Sequence, residues 1–87
     1  MKYEIFIKPS AKKELEKSPT EIKNRLKEKI DYLAENPRPK GTRKIKGGQG
    51  DHYRVRVGDY RIIYSINDKE KSVVVFRVKH RGEVYLN

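Results

Sequence analysis

Asp51-His52-Tyr53-Arg54-Val55-Arg56-Val57-Gly58-Asp59-Tyr60-Arg61-Ile62-Ile63-Tyr64-Ser65-Ile66 is the stretch whose reading decides the fold. Residues 52–57 and 60–66 read as strands, and Gly58-Asp59 between them matches a two-residue hairpin turn. Antiparallel pairing about that turn sets Val57 opposite Tyr60, Arg56 opposite Arg61, Val55 opposite Ile62, Arg54 opposite Ile63 and Tyr53 opposite Tyr64. Alternate side chains of a strand take opposite faces. Tyr53, Val55, Val57, Tyr60, Ile62, Tyr64 and Ile66 therefore share a core face, and Arg54, Arg56 and Arg61 share the other.

Beyond this hairpin, residues 67–71 form a polar turn and residues 72–79 a last strand centred on Val73-Val74-Val75-Phe76. If Val74, Phe76 and Val78 join the core face, Arg77 and Lys79 join the arginine face. Toward the N-terminus, residues 2–8 place Tyr3, Ile5 and Ile7 on one side, as a half-buried strand requires. Pro9-Ser10 breaks that strand, and Ala11 and Leu15 mark a short helix ending near Lys17. Ser18-Pro19-Thr20-Glu21 then offers an N-cap, a proline at the first helical position and a glutamate three residues after the cap. Ile22, Leu26, Ile30 and Leu33 follow as one apolar stripe on a helix running to about Glu35. Asn36-Pro37-Arg38-Pro39 ends it, the prolines stiffening an exposed connection. Residues 41–51, rich in Gly and Lys with Ile45 as their one large apolar side chain, read as a loop or a weak edge strand. The expected fold is α+β, in the order β-α-α-β-β-β, an antiparallel sheet with the two helices on one face.

The 87 residues leave room for one domain, spanning 1–87, since so short a chain buries only about 60–65% of its unfolded surface. Apolar residues make up only 34% of the chain, but they gather into patterned segments, which favours a folded domain over disorder. Lys and Arg number 22 against 12 Asp and Glu, a formal charge of +10. Such a field draws polyanions, nucleic acid first, then a membrane surface or an acidic protein. Without cysteine there are no disulfides or thiolate metal sites, which fits a reducing cytoplasm. No apolar run approaches a membrane span, and nucleic acid rather than membrane is the expected polyanion.

Arg56 directly across from Arg61 is destabilising, and an anionic ligand gripped by guanidinium forks is the simplest compensation. The alternative is a solvated basic face that only keeps the protein soluble. Arginine stays protonated at any ordinary pH, so these residues can hold phosphate but hardly accept a proton. For acid–base work His80, Tyr85 and Lys79 remain, in or beside a tail able to fold over the arginine face; histidine is the residue type that ordinarily titrates near neutrality. Two separate histidines make a metal site improbable, and neither metal nor small-molecule cofactor is expected. Gly47-Gly48-Gln49-Gly50 lacks the Gly-Lys-Ser/Thr and the helix of a phosphate loop.

The hairpin string, followed after its polar turn by Val74-Val75-Phe76-Arg77-Val78-Lys79-His80-Arg81-Gly82-Glu83-Val84-Tyr85, resembles the RelE/ParE toxins, and archaeal-type RelE especially. Length, element order, the two N-terminal helices and the Arg-x-Gly-Asp-Tyr-Arg pattern at 56–61 agree over essentially the whole chain. The resemblance implies a RelE-like microbial ribonuclease fold. It also implies the toxin of a type II toxin–antitoxin system, a ribosome-dependent endoribonuclease that cleaves messenger RNA in the A site and is silenced by a RelB-like antitoxin wrapped around it. Carried over by motif, Arg56 and Arg61 contact the scissile phosphate. Arg81, or Lys79, is the basic residue before the terminal Glu83-Val84-Tyr85, and Tyr85 is the functional tyrosine. Well-known bacterial RelE proteins carry lysines on the strand where this chain has Arg54 and Arg56, which speaks against a lysine base there.

The mechanism expected from this is metal-free attack of a ribose 2′-hydroxyl on the adjacent phosphate, leaving a 2′,3′-cyclic phosphate. Arg56, Arg61, Arg81, Tyr85 and His80 form the expected catalytic set, with Arg54, Arg77 and Lys79 binding RNA. The alternatives are a ParE-like inhibitor of DNA gyrase, which is not a nuclease, and a plain basic RNA-binding module.

Overall fold

The computed structural model describes residues 2–47 and 50–81, in the order β1 (Glu4–Ile7), α1 (Pro9–Lys17), α2 (Thr20–Glu35), β2 (Arg43–Gly47), β3 (Gly50–Val57), β4 (Tyr60–Asn67) and β5 (Ser72–His80). The strands form one sheet, ordered β1-β5-β4-β3-β2. The hairpin β3–β4 has the register that its alternation dictates, with Arg56 opposite Arg61 and Val55 opposite Ile62. Gly58 has φ +58° while Asp59 is not in the left-handed region, the sign pattern of a type II′ turn.

The sheet has one strand more than the alternation predicts, and it is mixed. Arg43–Gly47 pairs antiparallel with Gly50–Arg54 as an edge strand. Its Arg-Lys-Ile-Lys run has no apolar face, so period-2 reading cannot separate it from a loop. β1 pairs with β5 in parallel, Glu4 opposite Ser72 and Ile7 opposite Val75. A parallel pair needs a long crossover, which here is everything between the first strand and the last.

Both helices lie on one face, and the core forms there from Ala11, Leu15, Leu26, Ile30 and Leu33 against Val55, Val57, Ile62, Tyr64, Val73, Val75 and Val78. The expected core set of β5 is therefore corrected. Tyr64 pairs with Val75 but Ile63 pairs with Arg77, so Phe76 is the extra residue of a β-bulge. A bulge shifts side-chain parity. Val73 and Val75 point to the core before it and Val78 after it, while Val74, opposite Ser65, stands on the outer face with Phe76.

Two local readings also change. Ser18 does not cap α2, which starts at Thr20 with no side-chain cap; its hydroxyl donates back to the Leu15 carbonyl and closes α1. In the connection after α2, Asn36, Arg38 and Lys40 are exposed, but Pro37 and Pro39 are both buried. Tyr64, fully buried, draws the prolines in by donating its hydroxyl to the Pro37 carbonyl at 2.7 Å and meeting the Thr42 hydroxyl at 3.3 Å. Arg38 closes the same strap from outside, bidentate on Asp68 at 2.8 and 3.2 Å.

Candidate nucleic-acid interface

On the sheet face away from the helices, register stacks cations across neighbouring strands. Arg43 lies opposite Arg54, Arg56 opposite Arg61, and Arg61 opposite Lys79. A concavity of about 290 Å³ opens among them, lined by Gly41, Arg43, Arg54, Arg56 and Arg61. Four guanidinium groups from three strands thus meet in one hollow, whose lining among the described residues includes no carboxylate. Arg61 sits at its floor, only 3% exposed, and Arg56 at an open rim. Each like-charged pair facing across strands disfavours the fold by roughly 0.2–1 kcal/mol. A bound phosphate would relieve several of these repulsions at once through bidentate hydrogen bonds.

The strap before β2 sets one wall. Tyr64 fixes Pro37 and Thr42, and Gly41 and Arg43 flank Thr42 on the cavity lining. Burial pushes the Tyr64 phenol above its ordinary pKa and outweighs the opposing effects of the Thr42 hydrogen bond and Arg38. It stays a neutral donor. Arg43 escaped sequence reading because its strand has no amphipathic signature; the pairing of Gly47 with Gly50 across a two-residue gap was the available hint.

Of the expected site residues, Arg54, Arg56 and Arg61 converge as the hairpin register requires. Lys79 lies on the same face, directly across from Arg61. His80 does not. It belongs to β5 opposite Tyr60, whose ring it meets edge-on at 5.1 Å, and it helps line a separate hollow with Glu21, Ile22, Arg25 and Asp59 on the helix side. The expectation that His80 folds over the arginines from a tail is overturned because β5 runs one residue further than the alternation suggested.

Arg77, expected to bind RNA, is held by α1 in an ion pair. Its Nε lies 3.1 Å from both carboxylate oxygens of Glu14, and a terminal nitrogen lies 2.6 Å from Oε2. The same carboxylate accepts the Val78 N–H at 2.8 Å. β1 stops at Ile7, so past Val75 that edge of β5 has no partner strand and α1 supplies the acceptor. Burial alone would raise the Glu14 pKa, but the bonds from Arg77 and Val78, with the charges of Arg77 and Lys79, together hold it below the ordinary carboxylate value. Arg81 is exposed, and its N–H donates to the Asp59 carbonyl at 2.6 Å. Tyr85 lies outside the described residues.

The outer face also has an apolar half. Phe6, 49% exposed, faces out opposite Val74. Phe76 meets His52 edge-on at 4.9 Å, with Lys8 Nζ 5.8 Å from its ring centre. Among the described residues no three histidine or acidic side chains gather where they could share a cation, and no helix is long and apolar enough to cross a membrane.

Comparison with known proteins agrees with this geometry. Residues 5–85 match the family described as ParE toxin of type II toxin-antitoxin system, parDE. The chain is 30% identical to RelE1 of Methanocaldococcus jannaschii, covering 100% of this chain and 99% of that protein. It is 29% identical to toxin RelG of Mycobacterium tuberculosis, covering 98% of each. The archaeal RelE–RelB complex of Pyrococcus horikoshii superposes with a TM-score of 0.82 at 36% identity, covering 94% of this chain and 98% of that one. The hairpin register, the arginine face and the whole-length likeness lead to one conclusion, that this chain belongs to the RelE/ParE toxin family of type II toxin–antitoxin systems.

Proposed function

We propose that the chain is a ribosome-dependent endoribonuclease that cuts messenger RNA in the A site, working in the cytoplasm under the control of a RelB-like antitoxin. One observation carries the reading. Four arginines from three strands line a single hollow, an arrangement suited to holding a backbone phosphate.

In the proposed reaction the ribose 2′-oxygen bonds to the adjacent phosphorus, the bond from phosphorus to the 5′-oxygen breaks, and a 2′,3′-cyclic phosphate and a 5′-hydroxyl result. The proton leaves the 2′-oxygen and one is delivered to the 5′-oxygen. Arg56 and Arg61 stabilise the charge that builds on the phosphate oxygens, while Arg54 and Arg43 hold the strand in place. Guanidinium groups do not exchange protons under these conditions. That task falls to other groups, and Lys79, directly across from Arg61, is an amine on this face; Arg81 and Tyr85 complete the proposed set of residues. No metal enters this scheme.

The Pyrococcus horikoshii protein is found in complex with RelB. By likeness, an antitoxin would cover the mixed outer face here, with acidic groups on the arginines and apolar ones on Phe6, Val74 and Phe76. The family description names ParE, and gyrase inhibition is therefore the competing activity. Message ends mapped in a translation extract, beside a gyrase supercoiling assay, decide between them. New 5′-hydroxyl ends on translated message support the proposal. Blocked supercoiling with intact message would refute it.

A further inference from the structure

β2 begins at Arg43, opposite Arg54, so among the described residues no strand pairs with the β3 edge at Val55–Val57. Around that edge lies a second hollow of about 340 Å³, lined by Arg25, Glu28, Lys29, Tyr32, Arg56, Val57 and Gly58. Arg56 lines both hollows, which makes them neighbours along one path from the outer sheet face to α2. Arg25, Lys29 and Tyr32 follow at helical spacings of four and three and share one side of α2. Three cations stand against one carboxylate, Glu28. Tyr32 is 48% exposed, with Lys29 Nζ 5.8 Å from its ring centre. Gly58 brings the hairpin turn close to the helix. A Cβ there would lie 3.5 Å from an Arg25 guanidinium nitrogen, so the Arg25 head lies over the turn at the edge of the groove.

A charged groove with one presented aromatic ring is what a single nucleic-acid strand recognises, through phosphates on the cations and a base on the ring. We infer that the groove of Arg25, Lys29 and Tyr32 binds the single-stranded RNA that flanks the phosphate held in the arginine hollow, with Arg56 joining the two. This rests on the proposed ribonuclease reading and extends it from one phosphate to a strand. A base stacks on Tyr32, and Arg25 and Lys29 each take a phosphate.

The test compares RNAs of three and nine nucleotides, 2′-O-methylated so that the attacking hydroxyl is blocked, binding to the full chain by fluorescence anisotropy. The variants are Tyr32→Ala and the double variant Arg25→Ala/Lys29→Ala, with circular dichroism confirming α2. Tyr32→Ala is expected to weaken the nine-nucleotide RNA roughly tenfold. The double variant is expected to lower the salt dependence of its binding by about 1.4 in log–log slope, ~0.7 for each lost contact. The three-nucleotide RNA should bind all proteins alike. Equal losses at both lengths, or no loss at nine nucleotides, overturn the inference. So does polyglutamate that binds wild type as tightly as the longer RNA and loses as much in the variants, because the groove then serves acidic protein segments. Length-dependent losses in a protein that leaves translated message intact would refute the ribonuclease reading and spare the groove. Message cutting with no length-dependent loss would do the reverse.

Discussion

Arg56 faces Arg61, and Arg61 faces Lys79, a row of like charges across neighbouring strands. Arg56 is the exposed member, so its replacement tests the conflict cleanly. Arg56→Gln is expected to raise stability by about 0.5 kcal/mol in urea unfolding while lowering message cutting, the usual exchange between stability and function at a binding site. Glu14 makes the opposite case, a charge that the fold uses. Its pKa is lowered on folding, so its contribution is complete above the unfolded value near 4.5 and is lost as pH falls through the depressed folded value. Urea unfolding measured from pH 6 downward should show stability declining below about pH 4.5, and Glu14→Gln should flatten part of that decline. An unchanged profile would mean that the clasp of α1 on β5 does not depend on the carboxylate charge.

At the scale of elements, the β3–β4 turn depends on Gly58. Its φ of +58° strains any L side chain, and a Cβ would press to 3.2 Å from Ile22 Cδ1. Gly58→Ala is expected to destabilise by about 1–2 kcal/mol, read by thermal or urea unfolding. The strap from α2 to β2 depends on Tyr64. Tyr64→Phe leaves the Pro37 carbonyl without its donor and should destabilise by about 1 kcal/mol, with weaker RNA binding because Arg43 follows the strap directly. The β3–β4 register was readable residue by residue, since a two-residue turn and strict alternation admit one pairing. β5 was not. Val73-Val74-Val75-Phe76 is apolar throughout, so nothing in it marks which residue bulges, and parity beyond a bulge depends on the neighbouring strands. The same limit hid the end of β5 and sent His80 to the wrong face. β2 stayed open between a loop and the weak edge strand that it is, because its residues carry no apolar side that would announce a buried face.

For the molecule as a whole, +10 charges on 87 residues predicted a polyanion partner, and the register of one hairpin predicted where three of its arginines would meet. What the sequence could not reveal was the company they keep. Arg43 arrives through an edge strand with no pattern, while Arg77 leaves for Glu14 through a contact between residues far apart in the chain. The whole-length likeness to RelE1 and to the Pyrococcus horikoshii RelE–RelB complex places those differences within one family architecture. The central claim is that the phosphate reacts in the arginine hollow on the outer sheet face and not near His80 on the helix side. The most direct measurement is the rate of message cutting in a translation extract by Arg61→Ala and His80→Ala, each checked for folding. Loss of an electrostatic donor should slow Arg61→Ala by roughly a hundred- to a thousand-fold, with His80→Ala close to wild type. Cutting that survives in Arg61→Ala and vanishes in His80→Ala would contradict it.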